Sequence, residues 1–219
     1  MEIVQFFIDL LKDPRGAIAG WITSFGPVWV YAPLFLVIFA ETGFVVTPFL
    51  PGDSILFTAG VFAADGGGLN IFALLGLMYA AAILGDTANY FIGREFGHAM
   101  IDSGKVKALK PEYLERTHAF FEKHGGKAII LARFFPIIRT FAPFLAGVSK
   151  MHLGRFWSFN IVGGVLWVTI FTLLGYFFGG IKFVQDNFEL VIVGIVAVSF
   201  VPAIAGALRG RVKKPRSDS

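Results

Sequence analysis

The chain has 219 residues, 56% of them hydrophobic and only 16% charged, and its mean hydropathy is +0.71. A water-soluble domain carries about 25% charged and 45–50% apolar residues, so this composition excludes a soluble globule and specifies an integral membrane protein. It has no cysteine, which excludes disulfides, thiol catalysis and cysteine-ligated metals.

The net charge of +4 is distributed as in a membrane protein and not as a nucleic-acid patch. Seven of the 19 Lys and Arg fall in 94–127 and five in 209–216, and juxtamembrane clusters of this kind mark the cytoplasmic side. No nucleic-acid partner is expected. The 26 Phe and 26 Gly suit helices packed in lipid through small residues.

The N-terminus, MEIVQFFIDLLKDP, lacks the basic opening of a signal peptide and is expected to be retained. A spanning helix needs about 20 mainly apolar residues, and four stretches reach that length: 16–40, 66–93 (with Asp86 inside it), 156–181 and 190–208. Residues 16–40 have a second reading, as an interfacial helix plus the first arm of a hairpin. Two regions are broken instead, 41–64 and 128–149. Each carries two prolines and internal charge, and both are expected to be re-entrant hairpins.

The expected fold is therefore all-α and integral to the membrane, a single polytopic domain of about four spanning helices plus two opposed re-entrant helical hairpins. Repeat one covers about 28–93, a cytoplasmic amphipathic segment 94–127, repeat two 128–181, a last span 190–208 and a basic tail 209–219. Within 94–127, residues 111–126 begin with Pro and end with Gly-Gly, as a helix on the cytoplasmic surface would. With the tail inside, this topology puts 16 Lys and Arg inside, including those of residues 1–15, and only Lys182 outside.

The repeat is carried by Thr58-Ala-Gly-Val61 and Leu145-Ala-Gly-Val148. Tyr90 lies 30 residues beyond Gly60 and Tyr176 lies 29 beyond Gly147, with Gly93 and Gly179 following at 33 and 32. The two copies cross in opposite directions, the inverted arrangement in which broken helices of transporters meet near the midplane.

Charges within apolar sequence locate the chemistry. Glu41 and Asp53 lie in hairpin one, Arg133 and Arg139 in hairpin two, and Asp86 in a span beside Asn89 and Tyr90. Such residues usually face a cavity and find partners. Two arginines form an anion site suited to phosphate, and Glu41, Asp53 and Asp86 can take up and release protons. Pro48, Pro51, Gly52, Pro136 and Pro143 would break the hairpins and shape that cavity. A buried ion-pair cluster that only holds the hairpins together is the plainer alternative. Asn160 and Trp167 read as interhelical glue and packing. The four His, at 98, 118, 124 and 152, have no metal-ligand spacing, and no nucleophile elbow, P-loop or dinucleotide fingerprint is present. Neither a metal, nor another cofactor, nor an enzymatic reaction is expected.

The run Glu41-Thr-Gly-Phe-Val-Val-Thr-Pro-Phe-Leu-Pro-Gly-Asp53 resembles a signature of the DedA family, bacterial membrane proteins with the VTT (SNARE-associated) domain. So do Gly85-Asp-Thr-Ala-Asn-Tyr-Phe-Ile-Gly-Arg94, Phe121-Glu-Lys-His-Gly-Gly-Lys127 and Arg133-Phe-Phe-Pro-Ile-Ile-Arg-Thr-Phe-Ala-Pro143. The resemblance implies a multi-pass protein of the bacterial cytoplasmic membrane with two opposed re-entrant hairpins; that both termini lie inside is the expectation from the charge distribution. It also implies transport of undecaprenyl phosphate or a phospholipid, driven by the proton gradient, with Glu41, Asp53, Arg133 and Arg139 as the functional charges. A proton-coupled ion or drug exchanger and a non-transporting assembly factor are the other classes these residues allow. Homo-oligomerisation is left open.

Overall fold

Residues 13–44, 52–64, 68–102 and 126–188, with 190, 191 and 194, are described by the structure, a computed structural model, and every regular element among them is helical. In chain order these are α1 (Pro14–Phe25), a 3-10 turn (Pro27–Val30), α2 (Tyr31–Gly43), α3 (Gly52–Ala64), α4 (Ile71–Asp102), α5 (Lys127–Ala132), α6 (Pro136–Val148), α7 (Leu153–Phe178) and α8 (Lys182–Asp186). Pro48, Pro51, residues 111–125, most of the 190–208 span and the basic tail lie outside the described residues.

Two helices are long and apolar enough to cross a membrane, over Ile71–Gly97 and Leu153–Phe178. Only 39% and 33% of their most apolar windows are buried inside the protein. The core helix of a soluble protein would be mostly covered, so these faces are built to meet lipid. Helix α4 runs on to Asp102, so the segment expected to begin at 94 starts as a continuation of the long helix.

The 16–40 stretch does not form one span. Asp13 caps α1 by accepting the Gly16 N–H (3.0 Å), Pro14 opens the helix, and Gly26 ends it at φ 86°, a conformation open to glycine. Pro27 then starts the 3-10 turn into α2. Arg15 lies 5.1 Å from the ring centre of Phe188, so residue 15 and the segment after α7 sit at the same end of the molecule. The break overturns the single span expected over 16–40, the second reading of that stretch fits the structure, and Arg15, expected on the side opposite 182–189, meets Phe188 instead.

Contacts fix the helix directions. The Asn70 N–H donates to the Tyr31 hydroxyl (2.7 Å) where α2 and α4 begin, and Asn89 Nδ2 donates to the Thr42 carbonyl (3.1 Å) where α2 ends, so α2 and α4 run parallel. Gly126 packs on Phe159 and Gly163 on Ile130, so α5 and α7 run parallel. The Tyr79 and Thr169 hydroxyls meet at 2.7 Å, while Asn160 Nδ2 reaches the Ile83 carbonyl at 3.1 Å, so α4 and α7 are antiparallel.

The remaining helices cross over. Helix α3 packs mainly on α7 and α6 mainly on α4, each hairpin arm lying along the long helix of the other half. Glycines make this possible. A Cβ on Gly60 would strike the Thr172 carbonyl oxygen, and one on Gly147 would strike that of Tyr90. Gly175 and Gly93 likewise admit the backbones of Phe57 and Phe144, and Gly179 and Gly97 admit Val61 and Val148. Equivalent hairpin residues are thus 87 positions apart but their long-helix partners 82 apart. Gly93 corresponds to Gly175 and not to Gly179, which corrects the sequence register by about one helical turn.

These seams predict opposite outcomes for two glycine substitutions. Gly147→Ala places a methyl on the Tyr90 carbonyl and is expected to cost about 1–3 kcal/mol or more. Gly76, with nothing within 4 Å of its would-be Cβ, is expected to tolerate Ala or gain about 0.5–1 kcal/mol. Thermal unfolding in detergent measures both; equal melting would contradict the seam.

Candidate functional site

Loss of regular helix at the ends of α2, α3, α5 and α6 brings polar groups together about half-way along the two long helices. Hairpin two turns through 133–135, where the N–H groups of Arg133, Phe134 and Phe135 donate to carbonyls three residues back. Extended Phe135 and Pro136 at the first helical position then start α6. Its first turn carries Arg139, whose N–H donates to the Phe135 carbonyl at 2.8 Å. Pro143, inside α6, has no N–H to give to the Arg139 carbonyl four residues earlier, which loosens the helix there.

Arg139 is the centre of the first cluster. Its Nη2 donates to Glu41 Oε1 at the end of α2, and its Nη1 to Asp53 Oδ1 in the first turn of α3 at 2.8 Å. The Gly52 N–H also donates to Glu41 Oε1, at 3.3 Å, and a Cβ on Gly52 would fall on the Glu41 carboxylate. Gly52 is therefore required where the two arms of hairpin one converge.

Arg133, at the end of α5, is the centre of the second cluster. Its Nη2 donates to Asp86 Oδ2 on α4 and to Asn160 Oδ1 on α7 at 2.5 Å. Gly163 and Gly164 leave room for its side chain. Trp167 joins the clusters: its Nε1–H donates to Asp53 Oδ1 at 2.8 Å, and its ring centre lies 4.7 Å from the Arg139 guanidinium and 6.0 Å from that of Arg133. Asn89 clamps both hairpins to α4, donating to the carbonyls of Thr42 (3.1 Å) and Thr140 (2.8 Å).

All five expected charges are thus brought together and buried, from 0% exposure at Glu41 and Asp86 to 7% at Asp53. Three carboxylates face two guanidiniums, so one proton makes the set neutral. Several buried atoms have no hydrogen-bond partner among the described residues: Nε and Nη1 of Arg133, Nε of Arg139, Glu41 Oε2 and Asp86 Oδ1. A buried polar atom left unsatisfied costs about 1–3 kcal/mol, so the cluster keeps capacity for an anion on its arginines and for protons on its acids. Among the described residues, no group of three His, Asp or Glu is arranged to hold a metal ion.

The VTT domain model matches residues 50–177, which hold all of these residues except Glu41. The chain belongs to the VTT-domain family. It is 50% identical over 210 residues to Protein DedA of Escherichia coli K12, covering 95% of each chain. It is 45% identical over 189 residues to an uncharacterized membrane protein of Mycobacterium tuberculosis H37Rv, covering 84% of this chain and 83% of that one. The E. coli inner membrane protein YqjA is 35% identical over 183 residues, 82% of each. No solved structure matches. Family membership and the lipid-facing helices together establish a membrane protein.

In this VTT-domain protein, Asn160 is the interhelical glue expected of it, bonding α7 to α4 and to Arg133, whereas sequence reasoning missed the hydrogen bond that Trp167 makes to Asp53. The available signal was position, an N–H donor in the interior of a span. Removing one partner of the Asp86–Arg133 pair strands a buried charge, so Asp86→Leu is expected to cost about 3–5 kcal/mol. The double variant Asp86→Leu, Arg133→Met should recover most of that loss in chemical unfolding. Additive losses would contradict a direct pairing.

Proposed function

We propose that this protein is a proton-coupled lipid transporter that carries undecaprenyl phosphate across the cytoplasmic membrane, returning it from the outer to the inner leaflet. The observation that carries the reading is the buried meeting of the hairpin tips, two guanidiniums with spare N–H groups held by three carboxylates. A guanidinium stays charged, and its planar fork matches phosphate. A charge at the bilayer centre costs at least about 2.5–3.5 kcal/mol, which selects a function for residues kept there.

In this reading α4, α7 and 190–208 span the membrane, and the α2–α3 and α5–α6 hairpins enter from opposite faces. Helix α1 lies at the outer interface, on the side of 182–188. The head-group phosphate takes the arginines as Glu41 and Asp53 accept protons and release Arg139, with Asp86 acting in the same way on Arg133. The polyprenyl tail stays in lipid. The proton gradient supplies the energy, and no other cofactor is needed.

The arginines recognise a phosphate and not what it is esterified to, so phospholipid flipping by the same site is the second reading. The test is leaflet exchange of labelled undecaprenyl phosphate in proteoliposomes, with and without a pH gradient. Exchange should depend on the gradient and resist competition by phospholipid. Arg139→Lys, which keeps the charge but loses the fork, should lower it by roughly tenfold or more per folded molecule. Absence of exchange by folded wild-type protein would overturn the transporter reading, and equal competition by phospholipid would favour the second.

A further inference from the structure

We propose that Trp167 is a positioning residue that links the protonation of Asp53 to the placement of Arg139 and of α7. The transport part of this inference rests on the reading above; its spectroscopic part does not. Trp167 is the largest fully buried side chain among the described residues, and filling space would account for the ring alone. Its two polar contacts are more specific. The indole N–H donates to Asp53 Oδ1, the same oxygen that takes Arg139 Nη1, both at 2.8 Å. The ring lies 4.7 Å from the Arg139 guanidinium, within cation–π reach. One side chain therefore holds both members of the ion pair, the acid by its edge and the base by its face.

The other charged groups around this point come from α2, α4 and hairpin two. Helix α2 supplies Glu41 through Arg139, α4 supplies Asp86 through Arg133, and hairpin two supplies both arginines. Helix α7 contributes no charge here, only Trp167 and Asn160. When Asp53 gains a proton or Arg139 turns to a phosphate, the indole loses its charged acceptor or its cation. Its helix carries Gly175 and Gly179, against which α3, the arm that bears Asp53, packs through Phe57 and Val61. Trp167 is thus placed to pass a local change of charge to a whole helix.

The first test uses a chain in which Trp167 is the sole tryptophan (Trp21→Phe, Trp29→Phe, Trp157→Phe), titrated in detergent from about pH 8 to about pH 3, a range that spans the model-peptide carboxyl values. Its emission should change with pH, lose that response in Asp53→Asn and keep it in Glu41→Gln. A response unaltered by Asp53→Asn, or no response at all, would overturn the proposal without reference to any lipid.

The second test is Trp167→Phe, which keeps a ring and removes the N–H. Gradient-driven exchange of undecaprenyl phosphate should fall by roughly tenfold, the effect of one charge-assisted hydrogen bond. Thermal melting in detergent should stay near the wild-type value, because the ring still fills the space. A fall in exchange matched by a comparable loss of melting temperature is the result of mere packing and would overturn the proposal. Failure of the wild-type protein to exchange lipid would instead count against the transporter reading and leave the fluorescence test to decide for Trp167.

Discussion

The guanidinium of Arg139 is the joint on which the architecture depends. It sits in the first turn of α6, where the helix dipole disfavours a cation, and it is 3% exposed in a protein whose surroundings include lipid. Burying an isolated charge is prohibitive, so α6 requires anions from elsewhere. Glu41 and Asp53 provide them, and doing so fixes hairpin one against hairpin two. Asp53 is suited to this role because an acid in the first turn of α3 is favoured by the dipole that disfavours Arg139. Arg133 repeats the scheme one step away, drawing Asp86 of α4 and Asn160 of α7 to the end of α5.

Electrostatics of this kind needs backbones close enough for short side chains to meet, and the glycine seams provide that. In each half a hairpin arm lies on the long helix of the other half, with Gly60 and Gly147 in equivalent places. In lipid no hydrophobic force separates helices from solvent, so close packing through small residues and interhelical hydrogen bonds must hold the bundle together. The halves are alike in scaffold and unlike in charge, acids on one hairpin and bases on the other. That asymmetry makes the meeting point a site as well as a contact.

Much of this was legible in the sequence. Charges in apolar runs are rare enough that Glu41, Asp53, Asp86, Arg133 and Arg139 stood out singly, and the structure gathers all five. The pairing of hairpin acids with hairpin bases also followed from charge. One feature was legible only as an alternative and two were not legible. The 16–40 stretch has the length of a span, and its break, the second reading of that stretch, rests on Gly26 and Pro27. The repeat register was misjudged by a turn because Tyr90 and Tyr176 look alike, whereas the contacts are governed by which glycine lies under which backbone. Trp167 was read as packing because an indole in a span is apolar by area; its N–H acquires meaning only when Asp53 is seen beside it.

The central claim is that the arginines at the hairpin tips receive a lipid phosphate. Photo-crosslinking in vesicles tests it most directly, using a polyprenyl phosphate with the reactive group next to the phosphate and peptide mapping of the adducts. The account places adducts around Glu41–Gly43, Gly52–Asp53, Arg133–Arg139 and Gly163–Trp167, reduced by unlabelled undecaprenyl phosphate but not by the free alcohol, and lost in Arg139→Lys. Adducts confined to the outward faces of α4 and α7, indifferent to competitor and to Arg139, would contradict it.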